Sequence, residues 1–369
     1  MSDDKHDANR ALTLEDVAKA AGVSKMTASR ALRGAAECSE ATRLKVKAMA
    51  DKLGYRPNPI VTLFHAAVRR QSSGYHATFG WLNDFADRGH HRKTLHLRRI
   101  LRGAEKQALN RGFKIEEVWF EHAEELPVER RALRYEQILR ARGSPGVILP
   151  ILFQSDLAMQ PWAELSAVCL GGMVASPGLA PFSAFPEKFH HVRPDFFANM
   201  ERACIALRAR GYRRIGVFMS DWHNRHTGRQ YEAAFRLQLN DWPKADRVPL
   251  MITSEPSTEE EQRVMLIDWV RREKPDVVLC GQGYTCDALN RAGLRIPKDI
   301  GVAHIWLSDD TPDWTGIDPD LEAVGAAAVD QLVAQLQANT RGQPAKVHRL
   351  SFLGRWVDGW TTRQAANRT

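Results

Sequence analysis

Lys25, Met26, Ser29 and Arg30 recur at the i, i+1, i+4, i+5 positions of a predicted helix. That spacing gathers them on one side of it. The set holds two long cations, a hydroxyl and a thioether, with no acid among them. An arginine fork can donate two hydrogen bonds to guanine O6 and N7, and an apolar tip can meet a thymine methyl. These side chains therefore suit the floor of a DNA major groove. A helix face that merely meets solvent more often mixes Glu with Lys. Ala28, Ala31 and Leu32 lie on the other side, where they can pack.

Three predicted helices position this face. Thr13 starts the first, with Asp16 three residues on as a capping partner. Leu14, Val17, Ala18 and Ala21 form its apolar stripe, and Gly22 ends it. Ser24 caps the second helix, from Lys25 to about Arg33. The third runs from about Glu40 to Leu53, with Val46, Met49, Ala50 and Leu53 as its stripe and Gly54 as its stop. Two helices joined by a short glycine-led turn make a helix-turn-helix. Charge agrees with it: from Lys19 to Arg70 eleven Lys and Arg face three acids, so this segment holds the whole +8 of the 369-residue chain. A local surplus of this size is an electrostatic footprint for a polyanion.

The run Leu12-Thr13-Leu14-Glu15-Asp16-Val17-Ala18-Lys19-Ala20-Ala21-Gly22-Val23-Ser24, followed by Thr27-Ala28-Ser29-Arg30, resembles the start of the LacI/GalR family of regulators. So do Thr42-Arg43 with Val46, Leu53-Gly54-Tyr55 and Pro57-Asn58-Pro59. The resemblance implies that Lys25, Met26, Ser29 and Arg30 face bases. It also implies that Thr13, Ser24, Thr27, Arg33, Ser39, Thr42, Tyr55 and Asn58 contact phosphate or position the helix. Ile60, Leu63, Phe64 and Ala67 have helical spacing. In the family this hinge folds on operator DNA and inserts an apolar side chain into a minor-groove step. Phe64, beside Leu63, matches that position, where a leucine is usual. Packing of Phe64 on the core is the other reading.

From Tyr75 onward strand-like and helix-like stretches alternate. Near-continuous apolar runs such as Gly146 to Phe153 read as strands buried on both faces. Repeated βαβ units predict parallel sheets with helices on both faces. The expected fold is an N-terminal all-α helix-turn-helix DNA-binding domain followed by a two-lobed, periplasmic-binding-protein-like α/β domain. The bounds read as a disordered tail (1–11), the helix-turn-helix (12–57), a hinge helix and linker (58–73) and the two-lobed region (74–369). Its first lobe spans about 74–190 and 317–345, its second about 191–316 and 346–369. His191-Val192-Arg193-Pro194-Asp195 resembles the family's crossing between lobes. Leu207 with Gly211-Tyr212-Arg213-Arg214-Ile215-Gly216, and Gly293 to Val302, resemble further segments of it.

Ligands of open α/β sheets sit beyond the carboxyl ends of the strands. The candidates are Asn83, Asp84, Asp221, Trp222, Gln282 and Trp306, with either Arg225 or Arg229 as the family's sugar-gripping arginine; structural roles for them stay open. His304-Ile305-Trp306 stands where many sugar-responsive members carry an aspartate, and Gly281-Gln282-Gly283 replaces an expected asparagine–aspartate pair. The ligand is thus left as a small molecule, a carbohydrate or a derivative.

No G-x-S-x-G, P-loop, H-E-x-x-H or G-x-G-x-x-G occurs. No catalytic residue, cofactor or metal is expected. His90-His91 and His190-His191 read as surface or loop pairs. The five cysteines are scattered and form no C-x-x-C. No apolar run reaches the roughly 18 residues of a membrane span, and Met1 to Arg10 has no leader-like apolar core. The expected protein is a cytoplasmic, nucleoid-associated homodimeric repressor of a near-palindromic DNA operator under allosteric small-molecule control. The competing reading is a sugar-like ligand sensor without a DNA role.

Overall fold

The structure is a computed structural model. It describes residues 13–32, 38–55, 77–150, 157, 160–170, 188–253 and 258–364. The chain divides into a helical N-terminal unit and a larger α/β unit beginning at Ala77.

In the first unit α1 spans Leu14–Ala21, α2 Lys25–Leu32 and α3 Glu40–Leu53. Thr13 and Asp16 form the expected capping box: the Asp16 carboxylate accepts from the Thr13 N–H at 2.8 Å, and the Thr13 hydroxyl accepts from the Asp16 N–H. Gly22 takes the left-handed conformation (φ 64°) that closes α1. Ala18, Ala21, Ala28, Ala31 and Ala50 meet Val17 and Val46 in a core that is almost all methyl groups, edged by Leu14, Met49 and Tyr55. Small side chains let these short helices approach closely. None would be stable alone, because nucleating a helix is costly.

Among the described residues the α/β unit holds two six-stranded sheets. The first contains β1 (Ala77–Leu82), β2 (Phe113–Val118), β3 (Gly146–Leu149), β4 (Ser166–Leu170), β5 (His190–Pro194) and β11 (Arg349–Phe352), in the order β11-β5-β4-β3-β1-β2. The second contains β6 (Ile215–Ser220), β7 (Met251–Thr253), β8 (Val277–Cys280), β9 (Gly301–His304), β10 (Gly316–Asp318) and β12 (Arg355–Val357), in the order β12-β10-β9-β8-β6-β7. Every recorded pairing is parallel except β10 with β12. The intervening helices are α4 (His90–Lys93), α5 (Leu95–Asn110), α6 (Val128–Ala141), α7 (Phe196–Ala209), α8 (Asp221–His226), α9 (Gln230–Asp241), α10 (Glu259–Glu273), α11 (Thr285–Arg291) and α12 (Leu321–Gln337). Around the second sheet, Met200, Leu207 and Phe235 belong to one apolar cluster and Leu266, Trp269 and Leu289 to another. No helix among the described residues is long and apolar enough to cross a membrane.

Strand membership corrects the expected lobe limits. His191 to Pro194 pair with β4 and β11, so they close the first sheet instead of opening the second lobe. Residues 349–352 return to the first sheet, and Ile317 and Asp318 belong to the second. The histidine pairs are corrected too. His91 is buried, with its ring edge-on to Trp81 at 5.7 Å, and His190 is buried within β5. Burial, then the neighbouring His90 and His96, pushes the His91 imidazole down to about 3.

Helices α5 and α12 cross where neither has a side chain. A Cβ on Gly103 would lie 2.0 Å from the Glu322 carbonyl oxygen, and one on Gly325 would lie 1.9 Å from that of Ile100. Alanine normally stabilises a helix interior over glycine by roughly 0.5–1 kcal/mol. Here Gly103→Ala should instead destabilise by about 1–3 kcal/mol, since backbone blocks the methyl. Thermal unfolding should show a lowered Tm; an equal or higher Tm would contradict this crossing.

Candidate functional site

The helical unit presents α2 as expected. Lys25, Met26 and Arg30 are exposed, with Met26 at 64%, while Ala28 and Ala31 are buried. Ser29 is half-buried beside them. Lys25 Nζ lies 3.6 Å from Glu15 Oε2 in an exposed pair, a geometry that contributes little to stability. The first turn of α2 has no acid. Ser24 caps it: the Ser24 hydroxyl accepts from the Thr27 N–H at 3.1 Å, and the two hydroxyls hydrogen-bond at 2.8 Å. Ser39 and Thr42 repeat this arrangement on α3, with hydroxyls 2.8 Å apart. Both helix N-termini carry hydroxyl caps; that of α2 has no acid in its first turn, a setting that favours anions, whereas that of α3 carries Glu40, paired with Arg43 at 3.0 Å. Thr13 is engaged in its capping box, and Tyr55 is half-buried against the core, where burial raises its phenol. Arg33, Asn58, Leu63 and Phe64 lie outside the described residues, as does the expected hinge.

The α/β unit contains a cavity of about 410 Å³. Two of the expected cleft residues, Trp222 and Trp306, line it. The others are placed elsewhere, and their contacts say why. The Asn83 amide donates to Glu117 Oε1 at 2.7 Å and to the Asp87 carbonyl, holding a loop. Asp84 forms a buried ion pair with Arg131 at 3.0 Å. Asp221 and Arg225 pair with each other at 2.8 Å. Arg229 is exposed at the start of α9 with φ 58°. The Gln282 side chain is buried, and its oxygen accepts from the Gly281 N–H at 3.2 Å. None of these six lines the cavity.

Histidines that strand-end reasoning missed stand there instead. His96 comes from the first turn of α5, His223 and His226 from α8, and His304 from the end of β9. Trp306 stacks on Phe196 at 5.7 Å and meets His96 edge-on, and Trp222 stacks on His226 at 3.8 Å. His223 Nδ1 shares a 2.9 Å hydrogen bond with the Ser220 hydroxyl. His304 Nδ1 accepts from the Trp306 N–H at 3.2 Å, which fixes a neutral ring with its proton on Nε2. Burial pushes His96, His223 and His304 down to about 4; neighbouring imidazoles add to this for His96 and His223, while Asp310 opposes it for His304. The useful sequence signal was Trp222, His223 and His226 at i, i+1, i+4, one short amphipathic turn. It was hidden because α8 is only six residues long.

Residues 13–58 match the family of bacterial regulatory proteins of the lacI type, and residues 205–362 match a periplasmic binding protein-like domain. The chain belongs to the LacI/GalR family. It is a DNA-binding transcriptional regulator of that family, and the family consists of regulators and not enzymes. The HTH-type transcriptional regulator GntR of Escherichia coli K12 is 25% identical over 342 residues, covering 89% of this chain and 92% of the relative. The protein of the same name from Pseudomonas aeruginosa PAO1 is 49% identical over 63 residues, 16% of this chain and 18% of the relative. Two solved structures share the fold at 19% identity and TM-score 0.56. One is the transcriptional regulator CelR in complex with cellobiose, covering 95% of this chain and 100% of that one. The other is the lac repressor dimer bound to operator and the anti-inducer ONPF, covering 96% and 100%.

His304 is buried and His96 and His223 are half-buried around the cavity, and this desolvation makes stability pH-dependent. His96, His223 and His304 bind protons less readily folded than unfolded, where histidine titrates near 6.5. Lowering the pH from about 6.5 to about 4 therefore favours the unfolded chain, and stability is retained above that window. Denaturant titrations at a series of pH values should show stability falling across it, and less steeply in His304→Gln. A flat profile would contradict the desolvation of these rings.

Proposed function

We propose that this regulator represses transcription as a homodimer on a near-palindromic operator, and that a small molecule in the cavity of the α/β unit sets its affinity for DNA. The observation that carries the reading is the exposed, acid-free face of α2. In this proposal Lys25, Met26, Ser29 and Arg30 read base edges in the major groove. Thr13, Ser24, Thr27, Arg33, Ser39, Thr42, Tyr55 and Asn58 hold phosphates or the helix that reads, which sets register and not sequence. Leu63 and Phe64 wedge a minor-groove step. Two copies would place two α2 helices in successive major-groove turns, so operator symmetry follows protein symmetry.

Three facts support this scheme. Both hydroxyl-capped N-termini, of α2 and α3, lie on the unit that carries the chain's charge surplus. A protein of the same fold is solved as a dimer on its operator, and another with a disaccharide. The cavity has the size and mostly apolar lining of a small-ligand site. A ligand that fits one arrangement of the two lobes better than another would shift the population between them, which is how cavity and operator would be coupled. The protein would act in the cytoplasm, where the operator is.

Arg30→Ala should cost about 1–3 kcal/mol of operator affinity and relax the preference at one base pair of each half-site. Duplexes selected from a random pool, compared between wild type and variant, give the readout. Unchanged affinity and preference would contradict the docking of α2.

A further inference from the structure

The cavity is unusual in what it offers a polar ligand. Its imidazoles arrive from opposite sides: His96 from α5 beside the first sheet, and His223, His226 and His304 from elements of the second. The formal charges on its wall are Lys93, tied to Asp87 at 2.6 Å, and Asp310, hydrogen-bonded to Ser308. No arginine lines it among the described residues, so it lacks the fork that grips a phosphate dianion. His304 presents no acceptor on Nδ1, which is occupied by the Trp306 N–H at 3.2 Å.

We infer that the ligand of this cavity is a small monocarboxylate, held between the imidazoles of the two lobes, and that its binding draws a proton onto His223. The inference rests on the reading of the cavity as an effector site. His223 is the ring equipped for the proton. Its Nδ1 faces the Ser220 hydroxyl, which can accept from a protonated ring as readily as it can donate to a neutral one. His304 cannot take a proton on Nδ1 without breaking its bond to the Trp306 N–H. The groups that face His223 are His226 on its own helix, His304 and Asp310 from β9 and the loop after it, and His96 and Lys93 from α4 and α5; the Asp221–Arg225 pair on α8 neutralises itself.

In the empty cavity burial and three neighbouring rings keep His223 neutral. A carboxylate within about 4–6 Å offsets this, because an opposite charge raises an imidazole by about 1–3 pH units. The α5 terminus assists the anion: Thr94 places no side-chain cap on it and its first turn has no acid. Trp222, Trp306 and Phe196 supply apolar faces for the rest of the ligand. Because the carboxylate is shared between His96 of one lobe and His223 of the other, the ligand would also draw the lobes together.

The test is calorimetry on the full chain with a panel of small carboxylates, each paired with its neutral counterpart: glucuronate with glucose, benzoate with benzyl alcohol, pyroglutamate with 2-pyrrolidone. Titrations at pH about 5.5 and about 7.5, in two buffers of different ionisation enthalpy, count the protons taken up. A carboxylate should bind about tenfold tighter at the lower pH, the sign required when the complex holds a proton that the free protein lacks. Its neutral counterpart should bind at least about tenfold more weakly, as expected when one charged contact is lost. His223→Gln should flatten the pH dependence, and His96→Gln should weaken binding at both pH values. If the tightest panel member is neutral with an affinity independent of pH, the inference is overturned while the effector site stands. If no panel member binds although the protein still binds duplex DNA, the carboxylate assignment is overturned and the effector reading is left without this support.

Discussion

The helical unit depends on close approach through methyl groups. Five alanines and two valines form nearly all of its buried core. Larger side chains at Ala28 or Ala31 would push α2 off α1 and α3. With them small, α2 is held by one face, and Lys25, Met26 and Arg30 are left outside at fixed spacing. A binding surface made of long, flexible side chains needs such a platform, because their own conformations are not fixed by packing. The hydroxyl cap on α2 serves the same end: it satisfies a first-turn amide without bringing a carboxylate near a polyanion, whereas the first turn of α3 carries Glu40, paired with Arg43.

The α/β unit solves a different problem. Parallel strands all point their carboxyl ends one way, so the loops that leave them converge. From the second sheet these ends deliver α8 after β6, Gly281 after β8 and Ile305 and Trp306 after β9. From the first sheet's side the wall is the start of α5, not a strand end. The glycine crossing of α5 with α12 fixes that helix along its length, and its ion pairs reach the second sheet: Arg99 meets Asp318 at 2.9 Å. Movement at the start of α5 is thereby linked to the elements that cross between sheets.

Local signals carried much of the fold. Thr13, Gly22, Ser24 and Gly54 mark helix ends that the structure reproduces, because caps and left-handed glycines act over three or four residues. The strand β3 was legible in the apolar run from Gly146. His190-His191-Val192-Arg193-Pro194 was not, since only pairing with β4 and β11 makes it a strand. The cavity was legible in part. Trp222 and Trp306 followed from the strand-end rule, whereas Asn83 and Asp84 obeyed the rule in position and then spent their polar groups on Glu117 and Arg131. Of the histidines only His223 and His226 share a local pattern, on the short α8; His96 and His304 are brought to them by tertiary packing of α5 and β9, which no local pattern encodes.

The central claim is that α2 lies in the major groove, once in each of two half-sites. Dimethyl sulfate interference on a selected duplex tests it most directly, since methylation blocks guanine N7. The account requires interference in two patches about one helical turn apart, 10–10.5 base pairs or a multiple, related by a two-fold axis. A single patch, or interference confined to the minor groove, would contradict it.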